Sequence, residues 1–79
     1  MRLVNRAPWY PMYIVVNGKP RDLPLPMPLR QVLESLALPA LERGLAVAVN
    51  GELIRRGEWE RHIVKPEDEL EIVQATQGG

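Results

Sequence analysis

The chemistry that this sequence best supports lies in its last residues. An alternating segment is followed by a polar stretch and then by the pair Gly78-Gly79. Because glycine lacks a Cβ, this pair lets the backbone enter a channel too narrow for other residues. The α-carboxylate of Gly79 is inert until another enzyme activates it. An acyl adenylate made from ATP would do so, and a sulfur nucleophile would then give a thiocarboxylate. The alternative is a frayed terminus, which ends many domains.

Residues for catalysis within the chain are sparse. Nucleophilic catalysis needs a Ser, Cys or Thr next to a base, and the sequence has one Ser, one His and no Cys. Ser35 falls on the polar side of a predicted helix, whereas His62 lies in a distant polar segment. Acidic pairs such as Glu58 and Glu60 lie beside turns, and no phosphate-binding glycine motif is present. We therefore predict no catalytic residue, no metal site and no bound cofactor, so that the chain is not an enzyme.

Length and composition restrict the class of protein. The 79 residues are enough for one small domain, and the absence of cysteine excludes disulfides and thiolate metal sites. Ten basic and ten acidic residues balance, so no basic surplus indicates a nucleic-acid partner. No apolar run approaches the roughly 20 residues of a membrane span, and the N-terminal segment lacks the apolar core of a signal peptide. We expect a cytoplasmic protein without a membrane partner.

The remaining elements predict an α+β domain. A β-rich run, Met12 to Val16, closes with Asn17-Gly18, a strong hairpin signal, and the returning strand contains Pro20, which favours a sheet edge. Prolines 24, 26 and 28 then predict a loop without regular pairing. One amphipathic helix follows from Pro28, with leucine and valine at helical spacing. Later strands are predicted at 46–49, 53–54 and 69–75, with a short helical turn around 57–61 that buries Trp59.

These elements give three predicted regions. Residues 1–11 have no clean period and are interpreted as a mobile extension, or as residue from an upstream start codon; the alternative is an extra edge strand through Leu3 and Val4. Residues 12–76 form the domain, and residues 77–79 form a flexible diglycine tail.

One helix covers only one face of a four- to five-stranded sheet. Alternation places six residues towards the helix: Ile14, Val16, Val47, Val49, Leu70 and Ile72. It leaves another six on the uncovered face: Tyr13, Val15, Ala46, Ala48, Val73 and Ala75. An uncovered apolar face of this kind indicates a surface for a partner, and we predict docking at Val15, Ala48 and Val73. The alternative is a scatter of surface aliphatic residues, which is normal.

The sequence also resembles a known family, the ThiS family of ubiquitin-like β-grasp sulfur carriers. The resemblance runs from Met12 to Gly79 and rests on the following segments: Met12-Tyr13-Ile14-Val15-Val16-Asn17-Gly18, the helix Leu29–Leu36, Ala46-Val47-Ala48-Val49-Asn50-Gly51-Glu52-Leu53-Ile54, Arg56, Trp59, and Asp68-Glu69-Leu70-Glu71-Ile72 before Gly78-Gly79. The segment 1–11 departs from the family pattern.

The resemblance implies a mixed β-grasp sheet whose first and last strands are parallel and adjacent. It also implies that a ThiF-like adenylyltransferase consumes ATP with magnesium to adenylate Gly79. Sulfur from a cysteine desulfurase or similar donor then gives the thiocarboxylate. ThiG-type thiazole synthase uses that sulfur to build the thiazole of thiamin. Gly78 and Gly79 are the positions that carry over as the tail entering partner active sites.

Related roles stay open from the sequence. A carrier for molybdopterin synthesis or tRNA thiolation would use the same terminal chemistry. A molybdopterin-synthase subunit more often shows aromatic residues and prolines before its diglycine, which the segment 73–77 lacks. A ubiquitin-like modifier would instead join Gly79 to lysines, and a simple binding module would not need the tail.

Overall fold

The computed structural model describes residues 12–36 and 44–74 of the 79-residue chain. Its elements, in chain order, are β1 (Tyr13–Val16), β2 (Lys19–Asp22), β3 (Met27–Pro28), α1 (Leu29–Ser35), β4 (Leu45–Val49), β5 (Glu52–Ile54), a 3-10 turn (Arg56–Glu58), β6 (Ile63–Val64) and β7 (Glu69–Gln74). The predicted extension 1–11, the predicted last strand residue Ala75 and the predicted tail 77–79 lie outside the described residues.

Five of the strands form one mixed sheet in the order β2-β1-β7-β4-β5. The last strand, β7, lies at the centre, parallel to β1 and antiparallel to β4. The two outer pairs, β1–β2 and β4–β5, are antiparallel hairpins. This arrangement confirms the predicted four- to five-stranded mixed sheet with adjacent parallel first and last strands, and it confirms Pro20 on an edge strand.

Both hairpins turn at Asn-Gly. Asn17 and Gly18 have φ angles of 50° and 86°, and Asn50 and Gly51 have φ angles of 52° and 85°. Positive φ at both central residues matches the right-handed twist of the flanking strands, which is why Asn-Gly is favoured there. The two predicted turns are confirmed.

The loop prediction for prolines 24–28 is wrong at its end. Met27–Pro28 forms β3, which pairs antiparallel with β6 in a separate two-stranded sheet. Pro28 does not need to donate from a backbone N–H, so a two-residue edge ladder tolerates it. The following N–H groups of the helix donate to distant carbonyls, Leu29 N to His62 O at 2.7 Å and Arg30 N to Trp59 O at 2.9 Å. These bonds satisfy donors that a helix start leaves unpaired.

The core lies between α1 and one face of the sheet. Leu29, Val32 and Leu33 are fully buried on the helix, as its spacing predicted. They face buried sheet residues that include Ile14, Val47, Val49 and Leu70. The two other residues predicted to point inward, Val16 and Ile72, pack partly buried against this core.

Trp59, which directly follows the 3-10 turn, is buried in the core. Its side chain is 1% exposed, and its indole Nε1–H donates to the Ile54 carbonyl at 3.0 Å. The Arg56 guanidinium lies 5.0 Å from the ring centroid. This confirms the prediction that Trp59 is buried, and it joins β5 to the segment that supports the helix.

We expect Trp59→Phe to destabilise the domain by about 1–3 kcal/mol, because the buried Ile54 carbonyl loses its donor and the ring shrinks. The measurement is urea unfolding followed by circular dichroism. Glu60→Gln, at the exposed neighbouring position, is the control and should lie within about 0.5 kcal/mol of wild type. Equal stability of Trp59→Phe and wild type would show that the indole bond does not support the core.

Candidate functional site

The candidate site is the central strand β7 and the tail that follows it. Gly79 lies five positions after Gln74, the last described residue. An extended chain of that length spans at most about 18 Å. Gly78 and Gly79 lie outside the described residues, so the geometry of the site is that of β7, the preceding strand.

Asn17 binds β7 from the β1 side. Its backbone N–H donates to the Leu70 carbonyl at 2.9 Å. Its side-chain Nδ2 donates to the Ile72 carbonyl at 3.1 Å, and its Oδ1 accepts from the Ile72 N–H at 2.8 Å. The sequence identified Asn17 only as a turn residue. Its amide in fact holds both backbone groups of Ile72, a contact across 55 positions that no local pattern signals.

Asn50 binds the start of β7 from the β4 side, also through its backbone N–H and its side-chain amide. Its backbone N–H donates to the Glu69 carbonyl at 2.7 Å, and its Oδ1 accepts from the Glu69 N–H at 2.9 Å. Its Nδ2 donates to Asp68 Oδ1 at 3.0 Å, while Asp68 Oδ2 accepts from the Lys65 N–H at 2.8 Å. Asp68 is the buried charged residue of the described chain, 8% exposed. It therefore ties the turn before β7 to the β4–β5 turn.

The predicted docking residues lie on three adjacent strands. Val15 is on β1, Val73 on β7 and Ala48 on β4, on the sheet face opposite the helix. Val73 is 60% exposed, whereas Val15 and Ala48 are half-buried. Leu53 pairs with Ala48 and is 66% exposed, which extends this face onto β5. Of the other outward predictions, Ala46 is exposed and Tyr13 half-buried, and Ala75 lies outside the described residues.

Carboxylates lie between these apolar residues. Glu69 pairs with Val15 across β1–β7, and Glu71 pairs with Ala48 across β4–β7. At the sheet edge Asp22 pairs with Tyr13. All three carboxylates are exposed. The alternation in 69–73 already placed both glutamates on the outer face, but the apolar prediction overlooked them.

Basic residues of the sheet lie on its other face. Arg21 pairs with buried Ile14, and Lys19 pairs with Val16. They line a shallow depression of about 400 Å³ with Val16, Asn17 and Leu36. Among the described strand residues, the outer face therefore carries acids and no lysine or arginine.

The other candidates for chemistry form no catalytic pair in the described chain. The Ser35 hydroxyl donates to the Val32 carbonyl at 2.7 Å, and Glu58 pairs with Arg61 at 3.0 Å. A second shallow depression, about 380 Å³, is lined by Pro28, Arg30, Gln31, Glu34 and Glu60, which include no nucleophile. Across residues 12–36 and 44–74, no group of three His, Cys, Asp or Glu side chains is placed to hold a metal ion.

Comparison with known proteins identifies the family. The model of the ThiS family matches residues 14–79, which cover most of the chain and reach Gly79. The chain belongs to the ThiS family. This confirms the resemblance drawn from the sequence.

Two solved ThiS-type structures are similar to this chain. A crystal structure of a thiamine biosynthesis protein (ThiS) from Geobacter metallireducens has a TM-score of 0.75 at 27% identity, covering 86% of this chain and all of that one. A solution structure of a thiamine biosynthesis protein from the same organism has a TM-score of 0.69 at 30% identity, covering 86% and 88%. The predicted β-grasp fold is confirmed. No curated protein matches the chain significantly.

Membership of the ThiS family supports a sulfur-carrier role.

Within the described residues, no helix is long and apolar enough to cross a membrane.

We expect Asp68→Ala to destabilise the ThiS-family domain by about 2–4 kcal/mol, because the Lys65 N–H and the Asn50 amide each lose an acceptor in a partly buried place. Thermal and urea unfolding measure this. Glu67→Gln, at the exposed preceding position, is the control and should be neutral. A neutral Asp68→Ala would mean that Asp68 does not hold the entry to β7.

Proposed function

We propose that this chain is the sulfur carrier for thiazole formation in thiamin biosynthesis, with Gly79 as the group that is modified. The observation that carries this proposal is the match to the ThiS family through Gly79. The similar structures from Geobacter metallireducens are described as thiamine biosynthesis proteins. The chain itself is a co-substrate of partner enzymes and catalyses no reaction.

The chemistry proceeds in two steps at one carboxyl group. A ThiF-like adenylyltransferase uses ATP and magnesium to join the Gly79 carboxylate to AMP, with pyrophosphate leaving. A sulfur nucleophile, supplied through a cysteine desulfurase or a similar donor, attacks the acyl carbon and displaces AMP. Where that nucleophile is a persulfide, a second thiol then attacks the donor sulfur of the resulting acyl disulfide, so that a disulfide forms on the donor and the carrier terminus leaves as a thiocarboxylate. ThiG-type thiazole synthase then takes the sulfur from it.

The fold suits a carrier because partner enzymes supply the active sites, so the reactive group need not be built into a site within the domain. Gly78 and Gly79 would enter the active sites of partners, where glycine allows a close approach of the backbone. The domain supplies the surface that partners recognise and a firmly bonded strand from which the tail departs. Metal and nucleotide belong to the partner, so the carrier itself holds no cofactor.

Docking is proposed at the outer sheet face, centred on Val15, Ala48 and Val73. The apolar residues would form the centre of the interface, while Glu69 and Glu71 beside them favour a partner with basic residues. Complementary charge raises the association rate and selects the partner. We therefore propose that the adenylating partner presents an apolar surface that carries lysine or arginine.

Incubation with a ThiF-like enzyme, ATP, magnesium and a sulfur donor should raise the intact mass of the chain by about 16 Da, the exchange of one oxygen for sulfur at an activated acyl group. Intact-mass spectrometry measures this. Deletion of Gly79 should abolish the shift and leave the unfolding midpoint unchanged.

Two controls sharpen this test. An added residue after Gly79 blocks the carboxylate without shortening the tail and should also abolish the mass shift. Sulfur acquired by the truncated chain would place the acceptor elsewhere and refute the proposal. Conjugation of Gly79 to lysines, seen as ladders of higher mass, would indicate a protein modifier instead.

Glu71→Lys should lower kcat/KM for the carrier in adenylation by about tenfold at low salt, because it places a cation where the partner carries cations. The measurement is ATP–pyrophosphate exchange at two salt concentrations, and the deficit should shrink at high salt. Glu52→Lys makes the same charge change at an exposed position that pairs with buried Val49, away from the outer face, and should have little effect. Equal losses in both variants would exclude the outer face as the docking surface.

A further inference from the structure

The two Asn-Gly turns bind opposite edges of the central strand, Asn50 at its first residue, Glu69, and Asn17 at its fourth, Ile72. Each asparagine has a positive φ, and each uses its side-chain amide on β7 or the turn before it. Asn50 acts at the beginning, on Asp68 and Glu69. Asn17 acts three residues further on, at Ile72. The two side chains therefore make the same kind of hydrogen bond at different positions along β7.

The Asn17 amide continues a ladder that the backbone of β1 cannot. The parallel register between β1 and β7 ends at the pair Val16–Leu70, because the chain turns away at Asn17. A side-chain amide has the same donor and acceptor as a peptide group. Its bonds to the N–H and carbonyl of Ile72 therefore extend the sheet by one residue towards the tail.

Beyond this point the described strand depends on one neighbour. Val73 and Gln74 pair with Ala46 and Leu45 of β4. On the β1 side, Asn17 makes the hydrogen bonds nearest to the tail within the described residues. Removing its side chain would leave the last residues of β7 held along one edge only, which favours fraying.

We propose that Asn17 is a positioning residue for the modification of Gly79. By binding both backbone groups of Ile72, it keeps β7 ordered up to the point where the tail begins, so that a docked partner meets the tail at a set place and in a set direction. Without it, residues 72–74 must be ordered on binding, at a cost in conformational entropy. This inference rests on the proposed function, since it concerns how the same terminus is presented.

The test compares Asn17→Gly with Asn50→Gly. Glycine accepts the positive φ at both positions, and each substitution removes two side-chain hydrogen bonds while leaving the backbone N–H bond to β7. Hydrogen exchange measured by NMR should show the Ile72 amide losing protection by about tenfold in Asn17→Gly only.

In ATP–pyrophosphate exchange with a ThiF-like enzyme, Asn17→Gly should raise the KM for the carrier by about tenfold and leave kcat within about twofold. The Asn50→Gly variant should keep a KM within about twofold of wild type.

Asn17→Asp is the second variant. It keeps an acceptor for the Ile72 N–H and lacks the donor to the Ile72 carbonyl, so its KM should lie between those of wild type and Asn17→Gly. An unchanged KM in Asn17→Gly, together with increased exchange at Ile72, would overturn the positioning role. An equal rise in Asn50→Gly would also overturn it, because the effect would then follow general stability. If the wild-type chain is not adenylated, the proposed function fails, while the Ile72 exchange still reports whether Asn17 holds the strand.

Discussion

This domain depends on hydrogen-bond partners for the backbone N–H and carbonyl groups along both edges of β7. A central strand must find partners for its N–H and carbonyl groups on two sides, because an unpaired buried backbone group is costly. β4 pairs with β7 from Leu70 to Gln74, whereas β1 pairs with only two residues before turning away. Asn50 adds a side-chain amide at Glu69, and Asn17 adds one at Ile72. The strand that precedes the proposed reactive terminus is thus hydrogen-bonded on both edges as far as Ile72.

The two faces of the main sheet differ in what covers them and in the charges they carry. A single short helix covers one face, and its buried residues with Trp59 form the core. The other face has no element over it in the described chain, and its apolar residues are interleaved with Glu69 and Glu71. The basic side chains of β2 lie on the helix side. The net charge of zero therefore combines two sheet faces of different charge, with acidic side chains on the outer face and basic ones on the helix side.

The chemistry of a carrier requires little of the domain itself. In the proposed function the terminus reacts in the active sites of other enzymes, so the domain would contribute a recognition surface and the ordered strand β7. Similarity of fold to ThiS-type structures at 27–30% identity shows that most side chains vary around this arrangement. The sheet order places β7, the last described strand, at the centre of the sheet.

The sequence by itself determined the five strands of the main sheet, the helix, the two Asn-Gly turns, the edge position of Pro20, the buried Trp59 and the family. The reactive group at Gly79 stays a prediction. These follow from local periodicity, turn chemistry and motif, which neighbouring residues determine. Only the tertiary structure decided that Met27–Pro28 pairs with Ile63–Val64, that distant carbonyls satisfy the start of the helix, and that Asn17 binds Ile72. These contacts join residues far apart in the chain. They depend on how the elements pack, and periodicity shows which face of an element is buried but not which distant residues it meets.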